Sequence, residues 1–123
     1  MPEAKMHVEK RDHPRMSVLL PVQYYFAEAV EELDHIVEWR KQDINALVLD
    51  LSLSGMHVVV DQKFLTGTVV RFDINIPGKS ESLTLYAEVA WSNEKGAGLH
   101  FLEMMEEDVE CLKAYMEKIA ASS

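Results

Sequence analysis

The sequence of 123 residues has few of the residues that cross-link or interrupt a small fold, namely cysteine, glycine and proline. It contains one cysteine, Cys111, so an intramolecular disulfide is excluded and an oxidising compartment is not indicated. Its five glycines and four prolines are too few for a collagen-like or low-complexity chain. The sequence also lacks an apolar signal-peptide segment and any run of about 18 apolar residues, so we expect a cytoplasmic protein without a membrane span.

The charge of the chain is strongly one-sided, since 12 basic and 21 acidic side chains give a net charge of −9. A field of that sign repels phosphate backbones, so we expect no general binding of nucleic acid. A small anionic ligand can still bind where basic residues cluster, because salt screens charges that are more than about 8 Å apart. The apolar content of 48% is ordinary for a folded protein, and the length fits one domain.

The N-terminal third of the chain contains three segments that differ in composition and apolar spacing. Residues 1–16 carry lysines, arginines and two prolines with little apolar periodicity, which predicts a flexible arm before a domain over residues 17–121. Ser17–Phe26 is rich in β-branched and aromatic residues and predicts the first strand. An apolar spacing of four and three residues then predicts an amphipathic helix over about residues 27–41. The spacing is set by Phe26, Val30, Leu33, Val37 and Arg40.

From Ala46 onward, short apolar runs separated by turn residues predict five further strands. The runs are ALVLDLS, GMHVVV, TVVRFDINIP, SLTLYAEVAWS and GAGLHFL. Six short strands favour a small antiparallel barrel or a sandwich, because an open sheet would leave edges exposed. Trp91 and the aromatic residues near Tyr24 are expected to pack in this structure. A last apolar spacing predicts a C-terminal helix over about residues 104–120.

Two groups of polar residues suggest a binding site. Arg11 and Arg15 flank His13 on a segment that Pro14 keeps from being helical, and each guanidinium can bind a phosphate or a guanine edge bidentately. In isolation, a basic arm of this kind is more often merely a solvated segment. Asp50 and Ser52 alternate with leucines and so point to one side of a strand end.

The second group also has a purely structural interpretation. Asp50 and Ser52 can form an Asx or Ser turn that leads to Gly55 at positive φ. Taken singly, neither group distinguishes a binding role from this local one.

The two groups in this order, RxxxR (Arg11, Arg15) and then DxSxxG (Asp50, Ser52, Gly55), resemble the PilZ domain, the bacterial receptor module for cyclic di-GMP. The likeness continues through AEVAWSNEKGAGLHFLEM and covers roughly residues 11–119. It implies a mainly β fold, a six-stranded antiparallel barrel with a C-terminal helix. It also implies a ligand held between the arm and the DxSxxG strand.

Residue by residue, the resemblance implies that Arg11 and Arg15 contact guanine edges and phosphates. Asp50 and Ser52 would hydrogen-bond a guanine or a phosphate, and Gly55 would provide the turn. Further candidates for ligand contact are Lys10, His13, Ser54 and Gly98.

The expected function is a receptor that rearranges its N-terminal arm when cyclic di-GMP binds and signals to an unidentified protein partner in motility, exopolysaccharide or biofilm control. The alternative is a PilZ-fold adaptor that binds a protein without nucleotide. An enzyme is not expected, because no nucleophile is paired with a base at readable spacing. The five histidines and one cysteine show no metal-ligand spacing, so neither a metal nor a cofactor is expected.

The predicted helix over about residues 27–41 departs from the family pattern, which has a shorter connection there. It could act as a lid over the site, pair with a second copy in a homodimer, or simply cover an end of the barrel.

Overall fold

The computed structural model describes residues 15–29, 37–76 and 82–122, and these residues form seven strands and one helix. In chain order they are β1 (Met16–Ala29), β2 (Val37–Lys41), β3 (Ala46–Leu51), β4 (Gly55–Val59), β5 (Val69–Asn75), β6 (Ser82–Asn93), β7 (Gly96–Phe101) and α1 (Glu106–Ser122). Within these ranges, no helix is long and apolar enough to cross a membrane.

Six of the strands close into an antiparallel barrel in the order β1-β3-β4-β7-β6-β5, because β5 also pairs with β1. The six-stranded barrel and the C-terminal helix are therefore confirmed. β2 is not part of the closed barrel. It pairs with the C-terminal part of β1, on the same edge along which β3 pairs with the N-terminal part. Tyr25 of β1 pairs with Lys41 of β2, while Val22 pairs with Ala46 of β3.

Buried and exposed side chains alternate most clearly along β5 and β6, while β7 is buried at five of its six residues. One set of alternate side chains fills the interior, and the other set forms the outer face of the barrel. At the centre, Tyr24 is fully buried and lies 5.4 Å from Phe64 and 6.2 Å from Phe72, measured between ring centroids. Leu112 and Met116 of α1 join the same core, which fixes the helix against the barrel.

The amphipathic helix predicted over about residues 27–41 is wrong where the structure describes this segment. β1 continues to Ala29, and Val37–Lys41 forms β2; residues 30–36 lie outside the described residues. All side chains of β2 are at least partly exposed, so the strand lacks the apolar alternation that marks a buried face. Arg40 instead pairs across the two strands with Glu28, at 2.6 Å between Nη2 and Oε1.

Candidate ligand-binding site

The structure brings the two predicted motif groups into contact. Arg15 lies immediately before β1, and Asp50 lies near the end of β3, on the neighbouring strand. Nη1 of Arg15 donates to Oδ1 of Asp50 at 2.6 Å, and the two side chains are 63% and 28% exposed. The second arginine of RxxxR and the aspartate of DxSxxG therefore form one charged pair on the outer face of the barrel.

Ser52 has a different environment from Asp50, since it is 2% exposed. Its Oγ accepts the backbone N–H groups of Ser54 and Gly55, each at 3.1 Å, and lies 3.2 Å from the Gly55 carbonyl oxygen. The Ser54 hydroxyl is 3.2 Å from that of Ser52. These bonds hold the turn between β3 and β4 and fix the end of the strand that carries Asp50.

Gly55 is required by close packing and not by its backbone angle. A Cβ at this position would lie 2.1 Å from the Leu99 carbonyl oxygen on β7. The prediction that Gly55 has a positive φ is wrong, because among the described glycines only Gly67 and Gly96 have positive φ angles. Gly55 thus allows β4 and β7 to approach closely beside the candidate site.

Asp50 belongs to a line of residues that crosses the outer face of the barrel. Successive strand pairings join Ser17, Asp50, His57, Gly98 and Trp91 on β1, β3, β4, β7 and β6. We call these five residues the motif row. His57 and Trp91 were not predicted as site residues, and only their strand pairing with Asp50 and Gly98 reveals them.

The strands are irregular beside this row. The described strand pairs contain three register shifts, which lie next to Ser17 on β1, Asp50 on β3 and Trp91 on β6. A shift of this kind is a β-bulge, which turns a side chain away from its regular direction and is common next to binding sites. The barrel therefore departs from a regular sheet beside three residues of the motif row.

Three predicted ligand residues, Lys10, Arg11 and His13, lie outside the described residues. The predicted arm over residues 1–16 is described only at Arg15 and Met16, where β1 begins. Gly98 is described and lies in the motif row, beneath the Trp91 indole. The ligand roles of all these residues stay predictions.

A second polar surface lies on the outer face of β1, β5 and β6, formed by Tyr25, Arg71, Asp73, Thr84 and Tyr86. We call it the tyrosine face. The Arg71 guanidinium lies 4.3 Å from the centroid of the Tyr25 ring and bonds Asp73 at 3.2 Å. Thr84 also donates to Asp73, at 3.0 Å. Partial burial, and then the Asp73 carboxylate, raise the pKa of Tyr25.

Comparisons with known proteins agree with this architecture. The sequence matches the PilZ domain family over residues 9–118. The structure is similar to the PilZ domain of CeSA from a cellulose-synthesizing bacterium, with a TM-score of 0.58 and 18% identity over 85% of this chain and 98% of that one. It is also similar to the inhibitor of motility MotI/DgrA of Bacillus subtilis, with a TM-score of 0.67 and 21% identity over 93% of this chain.

The chain spans only 52% of the MotI/DgrA structure. No curated protein matches the sequence. The family match covers most of the chain, including the strands that carry Asp50 and Trp91 and most of the C-terminal helix. The chain therefore belongs to the PilZ domain family, a family of cyclic di-GMP receptors that are binding domains and not enzymes.

Proposed function

We propose that this protein binds cyclic di-GMP between its N-terminal arm and the DxSxxG strand, at Arg15 and Asp50, and that binding changes the position of the arm. The ion pair between Arg15 and Asp50, 2.6 Å apart, carries this proposal. It joins a residue just before the first strand to a residue of the barrel wall, so a ligand that engages both acts on the connection between them.

The chemistry of the ion pair suits a guanine nucleotide. A guanidinium binds phosphate oxygens or the O6 and N7 acceptors of guanine, and a carboxylate accepts from guanine N–H donors. Cyclic di-GMP offers all of these groups, so it can replace the Arg15–Asp50 contact with partners for both side chains. The pair is exposed enough to open at small cost, because surface ion pairs contribute about 0–1 kcal/mol.

The acidic surface does not prevent binding of this anionic ligand. Lys10, Arg11 and Arg15 are close together in sequence, and most of the acidic residues are remote from them along the chain. At physiological salt a charge acts over about 8 Å, so direct contacts with the guanidinium groups, and not the net charge of −9, decide whether the phosphates bind. Arg11 is expected to add a second guanidinium contact when the ligand binds.

The signalling part of the proposal follows from the position of Arg15. When the ligand takes over the Arg15 guanidinium, the segment that precedes β1 is held by the nucleotide in place of Asp50. A protein partner that contacts this segment then distinguishes the bound from the free receptor. We propose a partner in motility, exopolysaccharide or biofilm control, in keeping with the inhibitor of motility to which the fold is similar.

Isothermal titration with cyclic di-GMP, with cyclic di-AMP as the comparison ligand, tests the proposal. We expect saturable binding of the guanine ligand, weakened about 10- to 100-fold by Arg15→Ala through loss of a charged hydrogen bond. Arg40→Ala is the matched control, because Arg40 is 62% exposed and forms an ion pair of the same 2.6 Å length with Glu28.

Equal affinities of the Arg15→Ala and Arg40→Ala variants would show that the site is wrongly placed. If the unmodified protein bound neither nucleotide, the adaptor that binds a protein alone would replace the receptor.

A further inference from the structure

β2 differs from every other described strand in its pairing. It bonds one neighbour, β1, whereas each of the other described strands bonds at least two. One edge of Val37–Lys41 therefore carries backbone N–H and C=O groups with no strand beside them in the described part of the chain. An open edge of this kind is a template to which a further strand can add.

The pairing with β1 decides which backbone groups of β2 face the open edge. The Gln42 N–H donates to the Tyr24 carbonyl oxygen at 2.9 Å, so these two residues form a hydrogen-bonded pair. Because bonded pairs alternate along an antiparallel ladder, the register directs the backbone groups of Glu38 and Arg40 towards β1. Those of the alternate residues point to the open edge, namely Val37, Trp39 and Lys41.

The two charged side chains between these residues are unequally paired within the chain. Arg40 bonds Glu28 on β1, whereas Glu38 lies directly opposite Glu28 in the register of the two strands. Like charges at opposite positions destabilise a sheet. Glu38 forms no ion pair with another described residue, so its carboxylate is available to a cation that approaches along the open edge.

The sequence of β2, VEWRK, is complementary to itself when two copies run antiparallel. When the two Trp39 residues lie opposite each other, Glu38 of each copy faces Arg40 of the other. Val37 then faces Lys41, and the outward backbone groups of the two copies bond each other. The opposite charges fall at the positions without backbone bonds, where side chains on neighbouring strands approach most closely.

The charges favour this register over its neighbours. Backbone bonds form only when outward residues lie opposite one another, so the next register on either side moves the centre by one residue. One of these registers places Glu38 opposite Glu38, and the other places Arg40 opposite Arg40. Since like charges directly opposite each other are destabilising, the register centred on Trp39 is the favourable one.

We propose that β2 pairs with β2 of a second copy, in the register centred on Trp39, to form a two-fold symmetric dimer. Such an interface uses the same edge on both copies and closes both, so it does not extend into a filament. The Trp39 ring lies 5.3 Å from that of Tyr86, between centroids, and this aromatic pair adjoins the new contact. Because a strand of five residues makes a short interface, we expect the dimer to dissociate on dilution.

Sedimentation equilibrium of the full chain, without ligand, tests the dimer at concentrations from about 10 µM to about 1 mM. We expect the average mass to rise from the chain mass of 14.0 kDa towards twice that value. Glu38→Arg should weaken association about tenfold or more, because the new arginine lies opposite Arg40 of the second copy. The matched control is Glu88→Arg, the same charge change at an exposed position of β6, which is paired on both edges.

A mixture of two variants tests the register itself. Glu38→Arg and Arg40→Glu should each associate weakly alone, since each places like charges opposite one another. An equimolar mixture should associate more tightly than either variant, because the proposed register sets the arginines of one chain opposite the glutamates of the other. Misfolding of a variant cannot produce this recovery.

A chain that stays monomeric at every concentration, or a mixture that associates no more tightly than its components, would overturn the inference. Neither measurement involves a nucleotide, so failure of the dimer leaves the proposed function intact.

Discussion

The outer wall of the barrel carries two polar surfaces that the strands build in different ways. The tyrosine face lies where β1, β5 and β6 pair without a register shift along their described lengths. Its polar groups bond one another: Asp73 accepts from both Arg71 and Thr84. The motif row lies where the strands are bulged, and its polar groups are less completely paired.

The incomplete pairing of polar groups in the motif row is clearest at His57 and Asp50. His57 leaves its buried Nε2 without a partner among the described residues, and its Nδ1 lies 3.6 Å from Asp50, too far for a hydrogen bond. Asp50 accepts a hydrogen bond from the exposed Arg15. The polar groups of the tyrosine face already bond each other, whereas the Asp50 side chain is 28% exposed and is bonded by an exposed arginine that a ligand can displace.

Gly98→Ala, in the motif row, should cause the largest loss of stability among the variants proposed below. The new methyl group would collide with the Trp91 indole, so we expect a loss of about 1–3 kcal/mol in the free energy of unfolding. Chemical denaturation measures this loss. In a Trp91→Ala background the same substitution should cost much less, because the indole is gone. Equal costs in both backgrounds would show that the indole does not rest on Gly98.

Two aspartates then separate folding from binding. Asp73→Asn should lower the free energy of unfolding by about 1–2 kcal/mol, because it removes a charged acceptor from a partly buried network, and should leave the affinity for cyclic di-GMP unchanged. Asp50→Asn should change stability by less than about 1 kcal/mol and weaken binding about tenfold. Denaturation and calorimetry on both variants are the measurements. If Asp73→Asn weakened binding and Asp50→Asn did not, the tyrosine face and not the motif row would be the ligand site.

The smallest change in stability is expected at Glu28, in the two-stranded ribbon that β2 forms with the end of β1. The hydrogen bond from Arg40 lowers the pKa of this carboxyl below its ordinary range. The bond therefore stabilises the fold above the unfolded-state pKa, near 4.3, and its contribution is lost as pH falls through the lower folded-state value. Thermal melts should show a small advantage over Glu28→Gln at neutral pH that disappears in acid. An advantage that grew in acid would contradict the assigned pairing.

The barrel was predictable from the sequence because its strands have one buried and one exposed face. Alternation in segments such as Val69–Asn75 follows directly from that geometry. The β1–β2 ribbon was not predictable in the same way. It has no fully buried face on β2, so a coincidental spacing of Phe26, Val37 and Arg40 imitated a helix.

The candidate site shows the same contrast. Arg15 and Asp50 were identified by their motifs, and the structure brings them together. His57 and Trp91 have no motif of their own, because their position depends on which strands are neighbours and on bulges that shift the register. No single-sequence pattern encodes those two features.

The most direct test of the account is a nuclear magnetic resonance titration of the ¹⁵N-labelled full chain with cyclic di-GMP. The account predicts that the largest shifts affect the backbone amides of Arg15, Asp50, His57 and Gly98 and the indole N–H of Trp91. Shifts confined to Tyr25, Arg71 and Tyr86, or an unchanged spectrum at saturating ligand, would contradict it.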